Sequence, residues 1–167
     1  ISTNSPNINV IKVESARDMH KECLKIFPLC DYAIMSAAVA DYAPVECAEN
    51  KIKREKDEIP VIKLTKNPDI AASLGEIKTP KQKLIGFALE TNNEEVNAAE
   101  KLKRKNLDMI VLNSLQDKGA GFGTDTNKIT IFDCEGNKTT YPLKSKNEVA
   151  KDIIEYKFVN YDEFKIL

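Results

Sequence analysis

Four groups of residues have types and spacings that could do chemistry. SAAVADY, residues 36–42, is a run of small side chains ending in an acid. Small residues let a ligand approach the backbone, and Asp41 could bond a hydroxyl or hold a metal. KIKR, residues 51–54, lies in a polar stretch without periodicity, where loop lysines could close over a polyphosphate and neutralise developing charge. KNPDIA, residues 66–71, reads as a helix start, whose unpaired backbone N–H groups make an anion site. Lys101 and Lys105 stand four apart on an expected helix and share one face, where like charges repel unless an anion or a carboxylate lies between them. Each group also has a plainer reading: a small-residue packing site with a turn aspartate, a solvated charge run, an ordinary capped helix, and a basic last turn favoured by the helix dipole. The residues alone leave both readings of each group open.

Other chemistries fit less well. The single histidine, His20, and four cysteines without C-x-x-C spacing, Cys23, Cys30, Cys47 and Cys134, argue against a zinc site or a histidine acid–base pair. GAGFG, residues 119–123, is not G-x-G-x-x-G and leads towards a hairpin rather than a helix, so the dinucleotide fingerprint fails on context. A short-chain dehydrogenase would need Tyr-x-x-x-Lys, but Tyr42 is followed four residues on by Glu46, and the other tyrosines also lack the lysine. With 25 basic against 26 acidic residues and a net charge of −1, the chain lacks the basic excess of a nucleic-acid binder. No apolar run approaches the roughly 20 residues of a membrane span. A single-domain, cytoplasmic protein is the expectation for 167 residues of this composition.

The elements that must position these groups follow from periodicity. INVIKV, residues 8–13, reads as a strand. Ser15 caps a helix that Pro28 ends. Tyr32 to Met35 is a buried strand leading into the small-residue run, and residues 44–58 read as a mobile loop. VIKLT, residues 61–65, alternates as a strand. Asn67 is the expected N-cap of the next helix, with Pro68 at its first position. KLIGFAL and LDMIVLN are buried strands around a helix over residues 92–106, acidic at its start and basic at its end. KITIFD and KTTYPL flank a turn at residues 134–137, and Ser145 caps a last helix. This rhythm predicts an α/β fold: a Rossmann-like, mostly parallel sheet with helices on both faces and a C-terminal β-hairpin.

The order and wording of SAAVADY, KIK, KNPDI, GFALETNN, KLKRKNLDMIVLN and a G-F-G-T-D-T-N loop before a hairpin closely resemble bacterial phosphopantothenoylcysteine synthetase. This is the ligase half of the coenzyme A biosynthesis bifunctional flavoprotein. The resemblance runs from about residue 8 to about residue 156. It implies a CTP-dependent phosphopantothenate–cysteine ligase. The carboxylate of 4′-phosphopantothenate is activated as an acyl-cytidylate with loss of pyrophosphate, and the amine of cysteine then displaces CMP. It also implies Mg²⁺, a homodimer formed through the hairpin, and FMN only on a decarboxylase domain outside this chain. Nucleic acid and membrane are not expected partners. Residue by residue, it implies backbone contacts to nucleotide from Met35, Ser36 and Ala37, and a nucleotide contact from Asp41. Lys51 would reach the phosphates. Pro68, Asp69, Ile70 and Ala71 would supply the helix start, Phe87 would pack by the base, and Lys101 with Lys105 would complete a cationic wall. Lys51 and Lys101 are the expected catalytic residues; the metal-binding residues stay unassigned.

The family's opening strand, glycine-rich turn and S-x-N-x-S-S-G motif are not matched here, since Asn4 lies too close to the next strand and no SSG follows. The expectation is therefore one ligase domain over residues 1–167, incomplete at its N-terminal side, that binds cytidine nucleotide without ligating. Residues 158–167 match nothing in the family. A reading of another class is a non-catalytic α/β module that pairs with itself through the hairpin at residues 128–143.

Overall fold

The computed structural model describes residues 5–46, 48, 61–90, 92–114 and 123–157. Helix α1 (Ala16–Ile26) begins at a reciprocal cap: Ser15 Oγ accepts from the Asp18 N–H at 3.1 Å, and the Asp18 carboxylate accepts from the Ser15 N–H at 3.1 Å. Pro28 falls in a short 3₁₀ turn, Phe27–Leu29, that follows α1 directly. Strand β1 (Tyr32–Met35) comes next, then β2 (Tyr42–Pro44), β3 (Leu64–Lys66), α2 (Ile70–Ile77), β4 (Lys83–Glu90), α3 (Glu94–Arg104) and β5 (Met109–Ser114). The chain closes with β6 (Thr126–Asn127), β7 (Ile129–Asp133), β8 (Lys138–Thr140), β9 (Lys144–Ser145) and α4 (Lys146–Lys157).

The main sheet runs β1-β4-β5-β7-β8. Strands β1, β4 and β5 are parallel, in the registers Met35↔Gly86 and Gly86↔Ile110. The β7–β8 hairpin continues the same sheet antiparallel, with Val111 opposite Ile131. Alternation along the strands divides the core. Ala33, Leu84, Ala88, Ile110 and Leu112 pack under α1, α2 and α3, whereas Ile85, Met109, Val111, Ile129 and Ile131 pack under Val149 and Ile153 of α4. The expected α/β sheet with helices on both faces is what forms. On the hairpin, Ile129 and Ile131 of β7 share a core cluster with Val149 and Ile153 of α4.

Three local expectations change. INVIKV forms no strand: it joins no ladder, and Ile8, Val10, Ile11 and Val13 are all well exposed. Alternation alone does not make a strand, because a strand exists only through the neighbour that takes its backbone hydrogen bonds. Tyr42–Pro44 belongs to a two-stranded ribbon with Leu64–Lys66, so the polar loop starts later than its composition implied. The α2 cap is Asp69 rather than Asn67: Asp69 Oδ1 accepts from the Ala72 N–H at 3.1 Å. Asn67 instead donates from its backbone N–H to the Asp41 carbonyl and from Nδ2 to the Ala40 carbonyl, both at 2.8 Å. Pro68 therefore precedes the helix rather than opening it.

At the opposite end of the strands from the small-residue run, Asp108 joins three elements. Its carboxylate accepts from Lys78 Nζ at 2.6 Å, from Lys83 Nζ at 3.1 Å and from the Leu84 N–H at 2.9 Å. Burial pushes the Asp108 carboxyl up, but the hydrogen bonds from Lys78 and Leu84 outweigh it and hold the group below its ordinary 3.8. A lowered folded-state value means that this stability is present above 3.8 and is lost as pH falls through the lowered value. Asp108→Asn leaves Lys78, whose side chain is only 10% exposed, as an uncompensated buried cation. It should cost about 3 kcal/mol in urea unfolding at pH 7. The difference between the two proteins should shrink as pH is taken below 3.8.

Candidate functional site: a groove over Gly86

The residues singled out for a nucleotide converge on one groove on the α1–α2–α3 face of the sheet. Met35 and Ala37 come from the end of β1, and Asp41 from the turn that Asn67 holds. Pro68, Asp69, Ile70 and Ala71 come from the entry to α2, Phe87 from β4, and Lys101 and Lys105 from the end of α3. Every expected nucleotide contact except Ser36 and Lys51 lines this groove. Met19, Val39, Ala40, Asn67, Gly86, Leu107 and Ile110 complete it. The groove thus runs from the strand tips down over the sheet between α2 and α3, deeper than the strand-end crevice that α/β topology alone predicts.

Two expected residues behave differently. Ser36 lines a separate cavity on the α4 face of the sheet, with Asn113, Asn127 and Lys146, because the strand alternation turns it away from Met35. Phe87 touches both cavities, but its ring packs against the core beneath α4, opposite the groove. It is Gly86, one residue earlier in β4, that faces the groove, with the Leu107 side chain packed where its Cβ would be. Lys51 and the rest of the KIKR group lie outside the described residues, as does most of the glycine-rich segment at 119–123.

The lysine pair is resolved in a way the spacing did not specify. Lys101 Nζ donates to Glu90 Oε1 at 2.5 Å, and Lys105 Nζ lies 2.9 Å from both oxygens of Asp69. Each ammonium therefore has its own carboxylate, and no shared anion is needed to hold them. Burial raises the Asp69 carboxyl, but hydrogen bonds from Lys105 and the Ala72 N–H prevail and leave it lowered. Burial likewise opposes Lys101 and Asn97 at Glu90, which also ends lowered. Both acids are ionised at neutral pH. Among the polar residues, Asn67 in the groove wall and Glu90 behind Lys101 are ones that pattern reading did not assign to the site. The signal for Glu90 was an acid at the end of an otherwise apolar strand, and for Asn67 it was hidden by its resemblance to a cap.

Among the described residues, no group of three or more His, Cys, Asp or Glu side chains gathers to hold a metal. Asp41 and Asp69 are the carboxylates in the groove, which suits an ion carried in by phosphates and taking one or two protein ligands. No helix among the described residues is long and apolar enough to cross a membrane.

The fold is similar to that of a solved C-terminal domain of a coenzyme A biosynthesis bifunctional protein CoaBC. That domain is 37% identical to this chain with a TM-score of 0.68, over 87% of this chain and 62% of that one. The model of the DNA/pantothenate metabolism flavoprotein C-terminal domain matches residues 1–158, and the chain belongs to that family. The coenzyme A biosynthesis bifunctional protein CoaBC of Bacillus subtilis (strain 168) is 42% identical over 87% of this chain and 35% of its own length. A cysteine/cysteine sulfinic acid decarboxylase from an unknown prokaryotic organism is 55% identical over 90% of this chain and 42% of its own length. The chain spans less than half the length of both curated relatives.

The groove depends on how closely α2 and α3 approach. A Cβ at Gly75 would stand 2.0 Å from the Lys105 carbonyl oxygen, a backbone atom, whereas a Cβ at Gly86 would meet Leu107 Cδ1 at 2.6 Å, the free end of a side chain. Gly75→Ala should therefore destabilise by about 2 kcal/mol, against the gain of about 1 kcal/mol that alanine normally brings to a helix interior. Gly86→Ala should cost under about 1 kcal/mol because Leu107 can shift. Thermal or urea unfolding of the two variants checks the order.

Proposed function

We propose that this chain supplies the nucleotide pocket of a CTP-dependent phosphopantothenate–cysteine ligase in coenzyme A biosynthesis. The observation that carries the reading is the convergence of residues from the entry to α2, the end of α3 and the end of β1 on one groove. The name of the Bacillus relative points to the same pathway. The decarboxylase name of the other relative belongs to a protein more than twice as long, whose remaining part lies outside the match.

In this reading the triphosphate lies against the α2 entry and the two lysines. Backbone N–H groups near Met35 and Ala37 hold it at the strand tips. Asp41, fixed through Asn67, meets the nucleotide at the other wall. Lys51, outside the described residues, is the further cation this reading assigns to the phosphates. The chemistry asked of the chain is positioning and fixed positive charge: as the acid's carboxylate attacks the α-phosphorus and pyrophosphate leaves, the lysines stabilise the charge that collects on the departing group. Mg²⁺, when bound with the triphosphate, shields its charge, with Asp41 and Asp69 as available ligands.

The groove encloses about 170 Å³, less than the roughly 300–1,000 Å³ of a pocket that engulfs a small molecule. Nucleotide entry therefore requires the groove to widen, and the Lys105–Asp69 pair, which joins its α2 and α3 walls, is the contact that would open. Lys105 then exchanges a carboxylate for a phosphate, so the cation is never left unpaired. Calorimetric titration tests the reading. CTP should bind saturably, ATP about tenfold more weakly, and Lys105→Met should weaken CTP by about tenfold with little change in unfolding temperature. A folded protein that takes up no CTP would overturn the proposal.

A further inference from the structure

The two lysines of the groove are held differently. Asp69, the partner of Lys105, is itself a wall of the groove. Glu90, the partner of Lys101, is not. Glu90 ends β4 and lines an open recess on the far side of Lys101, together with Asn97, Glu100, Lys103 and Arg104. Lys101 lines both spaces and so stands in the wall between them.

Glu90 is well fixed for gripping a neighbour. Its side chain is 14% exposed. Oε1 accepts from Lys101 at 2.5 Å, and Oε2 accepts from Asn97 Nδ2 at 3.1 Å. Asn97 in turn donates to the Asn92 carbonyl at 3.0 Å, which ties the amide to the loop at the start of α3. Asn97 and Lys101 are one helical turn apart, so both reach the same carboxylate from one helix face. A lysine side chain is long and flexible, and ordering it on ligand binding weakens affinity; a partner that orders it beforehand removes that loss.

We propose that Glu90, braced by Asn97, is the positioning residue for Lys101, holding its ammonium in the groove wall from behind so that an anionic nucleotide meets it already ordered. The proposal rests on the nucleotide reading above, but it differs from simple charge arithmetic. Removing a negative charge near a phosphate site would by Coulomb's law alone tighten anion binding. Positioning requires the reverse.

The test is a double-mutant cycle on CTP affinity, with wild type, Glu90→Gln, Lys101→Met and the double variant titrated by calorimetry and their unfolding temperatures measured alongside. Glu90→Gln keeps the size of the side chain while replacing the charge that holds the ammonium. It should raise the CTP dissociation constant about tenfold, and the double variant should bind no more weakly than Lys101→Met alone. Asn97→Ala should raise it about threefold and covers the case in which Glu90→Gln does not fold. Unchanged or tighter CTP binding by Glu90→Gln, unchanged binding by Asn97→Ala, or losses that multiply in the double variant would each overturn the inference while leaving the nucleotide reading intact. Absence of CTP binding by folded wild type would overturn the nucleotide reading, and the inference with it.

Discussion

The contact on which the site depends is the close approach of α2 to the end of α3. Gly75 has no side chain, and the Lys105 carbonyl occupies the space where one would be. Asn106, in a left-handed conformation, donates from Nδ2 to the Gly75 carbonyl at 2.8 Å and seals the junction. With the helices locked there, Lys105 reaches the first residue before α2, and the pairing with Asp69 follows. The same approach sets the width of the groove over Gly86. One missing methyl group in α2 thus admits the backbone of Lys105, distant in sequence, and with it the cation that pairs with Asp69.

The second constraint is electrostatic. A groove with two lysines and no compensation would repel itself and resist folding; here each cation is paired with a carboxylate, the largely buried Glu90 and the exposed Asp69. The pairs balance the two lysines of the groove with two carboxylates and hold the lysine side chains in place. At the far end of the sheet, Asp108 does comparable work for the framework: it ties the end of α2, the start of β4 and the start of β5 at one point.

Much of the fold was legible in the residues. Buried strands such as KLIGFAL and LDMIVLN read correctly because a parallel strand covered on both faces is apolar throughout. The caps at Ser15 and Ser145 read correctly because their partners, Asp18 and Glu148, lie three residues away. INVIKV misled because its pattern is that of a strand, while a strand needs a neighbour. Asn67 misled because an asparagine before a proline has the look of a cap, whereas its hydrogen-bonding groups are taken by Ala40 and Asp41, distant in sequence. Phe87 lines both cavities with its ring on the α4 side, while its neighbour Gly86 faces the other, since the two faces of a strand differ by one position.

The sequence by itself determined the family, the order of the main helices and strands along the chain, and most of the functional candidates that gather at the groove. These follow from local periodicity and from motif wording, which a linear reading carries. Only the tertiary structure decided how the groove is charged and shaped: that Lys101 answers to Glu90 and Lys105 to Asp69, that Ser36 faces the other side of the sheet, and that Gly75 and Gly86 set the depth and width. Those outcomes depend on which distant backbones come within a few ångströms of one another. Such approaches are fixed by packing across the core, and no spacing along the chain encodes them.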